Sequence, residues 1–241
     1  MGFEEFYEPN DANRLARTLR RLAEHDISCW ALTGGTAIEL HLEERGAARF
    51  VRPLHDLDFI AASFDCLPET LGNVLLPRHV HPHDPPGKTM LQAVDPVTAV
   101  RVDVFRAYGN EMERARTIVL AEAELRVVAF EDLVARHAQL CCSMLRGHCT
   151  APKYARDLLR MVEVAEPPNI QSIWSEHRKP NDPESFSEVL GLLREIIVSR
   201  PDLLVPPDYS IDVAAVCPRC EGTSAFRLAD TQQVFALLGY C

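Results

Sequence analysis

The sequence predicts an α+β protein in three parts. Strands mixed with helices occupy residues 1–128, a helical domain 129–200, and an irregular tail with a Cys-x-x-Cys motif 201–241. Short alternating or β-branched apolar segments recur before residue 128. After Phe130 the apolar residues fall at helical spacing instead, and from Pro201 on, with Pro206 and Pro207, periodicity gives way to punctuation. The 241 residues are 47% hydrophobic and 25% charged, a composition that supports a real core and excludes a disordered chain.

Asn10 or Asp11 is a cap for a helix over 11–25, with Leu15, Leu19 and Leu22 on its apolar face. Residues 27–32 are short and apolar, a strand that runs into the tight turn Thr33-Gly34-Gly35-Thr36. A helix over 37–44 follows, with Ile38 and Leu42 on one face, then an arginine-containing loop. Residues 55–60 alternate before turning apolar, as a half-buried strand does. The Pro- and His-rich stretch 78–88 is expected to be a loop or hairpin end. Residues 90–94 and 97–105 are strands; in the second, Val100, Val102 and Val104 share one face and Arg101, Asp103 and Phe105 the other. Residues 118–120 and 125–128 are candidate edge strands. Helices are expected over 131–146, 152–165, 170–177 and 183–199, with Pro152 at a first-turn position and Pro167-Pro168 after a helix end.

The formal charge of −10, from 35 acids against 25 bases, argues against a protein that coats nucleic acid by bulk charge. Arginine clusters (Arg14, Arg17, Arg20 and Arg21; Arg45, Arg49 and Arg52) leave room for a local basic groove. No apolar run approaches the ~18 residues of a membrane span, and the N-terminus is acidic, without a signal-peptide pattern. The expected compartment is the cytosol. Eight cysteines in such a chain do not form a disulfide framework; Cys29, Cys66, Cys141, Cys142 and Cys149 are scattered, and Cys141 and Cys142 belong to an apolar helix face.

Three acids carry the chemistry. Asp56 and Asp58 lie two apart on one strand and so share a face, and Asp103 stands in a later strand, opposite its flanking valines. Carboxylates gathered on adjacent strands repel unless a cation sits among them. A hard divalent cation, Mg²⁺ above all, accepts such oxygen ligands and keeps sites for water and phosphate oxygens. Upstream, the Gly34-Gly35 turn opens a helix whose N-terminal N–H groups suit an anion, and the Thr36 hydroxyl is placed to donate to a phosphate oxygen. Taken singly, a Gly-Gly turn or an Asp on a wet strand face is ordinary. The order of the three motifs is more specific.

That order resembles the DNA polymerase β-type nucleotidyltransferase superfamily, in which a Gly-Gly or Gly-Ser motif precedes an Asp-x-Asp strand and a third carboxylate lies on a later strand. More closely, Ala31-Leu32-Thr33-Gly34-Gly35-Thr36-Ala37 followed by Asp56-Leu57-Asp58-Phe59 is similar to the AbiEii-type nucleotidyltransferases, toxin partners of type IV toxin–antitoxin systems, over residues 10–165. The resemblance implies a mixed sheet flanked by helices and followed by a helical domain. It implies that Gly34, Gly35 and Thr36 hold a nucleoside triphosphate, that Asp56, Asp58 and Asp103 hold Mg²⁺, and that an antitoxin protein is a partner. The family also carries a helical motif of a lysine, an arginine, then Arg-Asp-x-x-Asp. Here Arg156-Asp157 matches its start, but Arg160 stands where the last Asp is expected, and His137, beside Arg136, where the earlier lysine is. By carry-over Lys153 contacts the triphosphate and Asp157 is a general base or orienting acid; the plainer reading of these two is a surface i,i+4 ion pair.

Cys217-Pro218-Arg219-Cys220 has zinc-knuckle spacing, with Cys241 as a third candidate Zn²⁺ ligand; the alternative is a pair of reduced thiols in a turn. His79, His81 and His83 alternate, and a solvated loop accounts for them. The leading expectation is an enzyme that moves a nucleoside monophosphate from a triphosphate to a hydroxyl of an RNA end, a protein or a small molecule. The competing expectations are a non-catalytic nucleotide- or partner-binding protein on the same fold, motivated by Arg160, and a zinc-dependent interaction module in the tail.

Overall fold

The computed structural model describes residues 2–47, 51–52, 54, 56–81, 89–146 and 153–199. The expectations placed on Cys217, Cys220 and Cys241, on Arg49, Cys149 and Pro152, and on His83 lie outside the described residues.

The first helix, α1 (Pro9–Ala23), starts on Pro9, whose missing N–H is harmless in a first turn. It buries Leu15, Leu19 and Leu22 and packs against the sheet. Strand β1 (Trp30–Leu32) is shorter than expected, because the Asp26 carboxylate accepts from the Ser28 N–H and hydroxyl and turns the chain just before it. Thr33 is the N-cap of α2 (Gly34–Glu44), so the glycine pair is the helix's first turn, not a turn before a helix beginning at residue 37. Next come β2 (Asp56–Ala61), two 3-10 turns (Phe64–Cys66 and Glu69–Asn73), β3 (Leu76–His81), β4 (Met90–Asp95) and β5 (Val100–Arg106). The short α3 (Glu111–Arg114) leads to a hairpin of β6 (Arg116–Leu120) and β7 (Ala123–Val127).

The strands form one mixed sheet in the order β3-β4-β5-β2-β1-β7-β6. Strand β2 is the middle strand of seven. It runs parallel to β5 and antiparallel to β1. Leu57, Phe59, Val102 and Val104, on the face away from the acids, are buried in the core.

Three expectations are corrected. Arg78 to His81 belong to β3 rather than to a loop; His79 is buried and its ring lies 5.9 Å from that of His81. Alternation was present there, and pairing with β4 outweighs the local proline signal. Residues 125–127 lie in an internal strand, because β7 pairs with both β1 and β6. Pro167 and Pro168 open a helix, since both fit the first turn, where no intrahelical N–H is needed.

From Phe130 onward every described element is helical: α4 (Phe130–Leu145), α5 (Lys153–Val162), α6 (Pro167–His177) and α7 (Phe186–Ser199). Helix α4 packs against α5, α6 and α7, while α2 touches β2, α4 and α5. The helical half therefore meets the sheet next to the Gly34-Gly35 turn.

Candidate active site

The β2–β5 pairing sets Asp58 opposite Asp103 and Asp56 opposite Arg101. Parallel neighbours in register present the same face, so the three acids gather on the side toward the helical half. An oxygen from each of Asp56, Asp58 and Asp103 lies within 4.8 Å of the others. Carboxylates so close, partly removed from water, resist ionising together. Burial, then Asp56 and Asp103, push the Asp58 carboxyl well above its ordinary range. Burial also lifts Asp103 to about 7, although Arg101 pulls the other way.

Arg101 is the countercharge already in place. It pairs with Asp56 and brings Nε to 3.3 Å from Asp103 Oδ2. One guanidinium against three carboxylates leaves an excess of negative charge. Asp103 Oδ1 is buried without a hydrogen-bond partner. An all-oxygen donor set with surplus charge and an orphaned buried oxygen fits a hard divalent cation.

The glycines have distinct reasons to be there. Gly34 adopts φ +65°, and a Cβ at this position would stand 2.0 Å from Asp58 Oδ2. The helix start thus lies directly on the acid cluster, with the Thr33 N–H donating to the Asp58 carbonyl oxygen at 2.9 Å. Gly35 faces Arg52, whose Cζ would lie 3.3 Å from an added Cβ. Thr36 is buried, and its hydroxyl shares a 2.7 Å hydrogen bond with Tyr7, a phenol that burial pushes up to about 12.

A cavity of about 470 Å³ opens over these residues. Its floor holds the acid triad and the glycines; its far wall comes from the helical half, with Lys153, Tyr154, Asp157, Arg136 and His137. Burial opposes the charge on Lys153, but Tyr154, Asp56 and Asp58 outweigh it and hold the ammonium above its ordinary pKa. Asp157 is buried and not half of a surface pair: Arg52 Nη2 donates to its Oδ2 at 2.8 Å. Burial raises this carboxyl, yet Arg52 and His137 together bring it below the ordinary range. Arg52 Nη1 donates to Glu39 on α2 at 3.0 Å, and Arg160 Nη2 donates to the other Glu39 oxygen at 2.8 Å. The arginine that breaks the Arg-Asp-x-x-Asp pattern therefore docks α5 onto α2. His137 Nδ1 donates to the Leu133 carbonyl oxygen at 2.9 Å, and burial depresses its pKa.

Sequence reasoning passed over several lining residues. Arg101 carried a signal, since alternation put it on the Asp103 face. Tyr7 and Tyr108 carried none. Tyr108 is 54% exposed at the cavity, with the Arg136 guanidinium 5.1 Å from its ring centre. A second convergence, of Glu111, Asp132 and His177, is buried beside this wall. Arg114 donates to Asp132 at 2.7 and 2.8 Å, His177 Nε2 lies 2.9 Å from Asp132 Oδ1, and Arg136 approaches Glu111 at 3.6 Å. Two guanidiniums supply the countercharge there, which makes this cluster an ion-pair hub joining α3, α4 and α6.

No protein family and no curated protein matches the chain. Among solved structures, it is similar to an antigenic nucleotidyltransferase-like protein from Paracoccidioides brasiliensis at 15% identity and a TM-score of 0.41, over 85% of this chain and 92% of that chain. At that distance, the functional argument rests on the residues of this chain.

Proposed function

We propose that the protein is a metal-dependent nucleotidyltransferase that moves a nucleoside monophosphate from a nucleoside triphosphate to a hydroxyl. The observation that carries this reading is the convergence of Asp56, Asp58 and Asp103 beneath the Gly34-Gly35 helix start, in a cavity with Lys153 on the opposite wall.

Asp56, Asp58 and Asp103 would hold Mg²⁺. When bound, the ion neutralises phosphate charge and makes the α-phosphorus more electrophilic. The backbone N–H groups at Gly34 and Gly35 donate to phosphate oxygens, which approach closely because no Cβ intervenes. Lys153 adds a positive charge on the far side. The acceptor oxygen bonds to the α-phosphorus, the bridging P–O bond to the β-phosphate breaks, and pyrophosphate leaves. The hydroxyl proton passes to water in the cavity, while Asp103 would serve as a ligand for the ion through its buried, unpartnered Oδ1. Asp157, held ionised by Arg52, is a weak base and orients the α5 wall. Thr36, engaged with Tyr7, supports the helix start and reaches phosphate only by exchanging that bond.

The acceptor is an RNA end, a protein or a small molecule. The resemblance to AbiEii-type proteins supports a toxin role, a cognate antitoxin partner and action in the cytosol. Among the described residues no helix is long and apolar enough to cross a membrane. The test is incubation of the purified protein with each labelled triphosphate, Mg²⁺ and total cell extract. Label is expected in one fraction, and Asp58→Ala is expected to lower it by at least ~100-fold. Unchanged labelling by that variant refutes the assignment. Magnesium-dependent triphosphate binding by calorimetry, with no label transferred to any fraction, supports the non-catalytic reading that Arg160 motivates.

A further inference from the structure

Independently of the proposed reaction, we propose that Cys29 and Cys66 form a reversible dithiol–disulfide site that reacts with low-molecular-weight disulfides of the glutathione class. The two are 37 positions apart in sequence. The antiparallel β1–β2 pairing, with Trp30 opposite Ala61, brings the residue before β1 to the 3-10 turn after β2. There the Cys29 thiol donates to the Cys66 carbonyl oxygen at 2.9 Å, and the Cys66 thiol to the Ser63 carbonyl oxygen at 2.8 Å. The two thiols are close enough for each to shift the other's ionisation. Both cysteines are only partly buried, at the edge of the core, whereas Cys141 and Cys142 are buried. Accessibility, mutual contact and separation from the buried pair mark these two as the reactive thiols among the described cysteines.

The roles within the pair follow from their hydrogen bonds. When Cys66 ionises, the Cys29 S–H turns from the carbonyl oxygen to the Cys66 thiolate; that donation, against the opposing effect of burial, draws Cys66 down to about 6, while Cys29 is pushed up. Cys66 is therefore the attacking thiolate and Cys29 the resolving thiol. The Cys66 sulfur bonds to one sulfur of the small disulfide, whose S–S bond breaks and releases one thiolate. Cys29 then loses its proton to water and attacks Cys66 Sγ, and the second small thiolate leaves. Two protein thiols are oxidised, and one small disulfide is reduced to two thiols.

The experiment equilibrates the full-length protein with graded ratios of oxidised to reduced glutathione, alkylates free thiols, digests and maps the peptides by mass spectrometry. Expected is a cross-link between the Cys29 and Cys66 peptides that dithiothreitol reverses. Cys29→Ser is expected to trap glutathione on Cys66, and Cys66→Ser to show neither product. Near-ultraviolet circular dichroism checks that both variants are folded. Glutathione stably attached to wild-type Cys66 without a cross-link, or both cysteines unmodified at every ratio, overturns the proposal. A second measurement needs no cross-link: iodoacetamide alkylation of Cys66 at pH 6 is expected to be ~10-fold slower in Cys29→Ala than in wild type, because the thiolate loses its donor. Equal rates overturn the assigned roles.

Discussion

A methyl group on Gly34 would press against the Asp58 carboxylate and would also strain a backbone held at positive φ. Both effects act at once, so Gly34→Ala is expected to cost at least ~1–2 kcal/mol of stability and to displace Asp58 from its neighbours. Urea denaturation measures the first; calorimetric titration with Mg²⁺ measures the second, and cation affinity should fall. Gly35→Ala meets only the edge of the Arg52 guanidinium. It should be the milder change in both measurements. Strand alternation made it legible that Asp56 and Asp58 share one face and that Asp103 stands opposite its flanking valines. What alternation leaves open is the neighbour. Only the β2–β5 register shows that Arg101 stands opposite Asp56 and already shares the site.

Among elements, α5 docks on α2 through one buried acid. Glu39 is buried and receives both Arg52 and Arg160, while Arg52 also holds Asp157. Glu39→Ala removes the buried acid that Arg52 and Arg160 share and should destabilise the protein by about 3 kcal/mol. The double variant Glu39→Ala/Arg160→Ala should cost less than the sum of the two single changes, because each single change already breaks the Glu39–Arg160 contact. Urea midpoints of the four proteins test both statements; strict additivity would show that Arg160 does not work through Glu39. Helix periodicity announced α5 and even its shared Lys153–Asp157 face. It gave no hint that Asp157 is buried, because burial of a charge depends on a partner that lies 105 positions away.

Over the whole molecule, two buried carboxylates tie separate elements together and make stability depend on pH. Asp132 is raised by burial but lowered further by hydrogen bonds from Arg114 and His177, and Asp157 is lowered by Arg52. A folded-state pKa below the unfolded one contributes stability that is full above the ordinary carboxylate value of ~3.9 and is lost as pH falls toward the folded value. Urea midpoints should therefore drop steeply as pH falls below about 4. Asp132→Asn should lower stability at pH 7 by about 3 kcal/mol and flatten the acid slope. A slope as steep as that of the wild type would exclude Asp132 as a source of it. The α1 arginines belong to this scale too. Arg14 donates to the Thr98 and Ala99 carbonyl oxygens and Arg21 pairs with Asp95, so much of that cluster serves internal packing.

The sequence by itself determined the α+β class, the succession of strands and then helices, the faces on which Asp56, Asp58 and Asp103 stand, and the glycine pair ahead of them. Those features follow from local periodicity and from residue-specific backbone freedom, which act over a few positions. The tertiary structure alone decided that β2 is the central strand, that Arg101 and Lys153 face the acids, that Arg160 serves Glu39, and that Cys29 meets Cys66. Each of these is a contact between distant segments, fixed by strand order and helix docking, and no local pattern encodes which distant partner arrives.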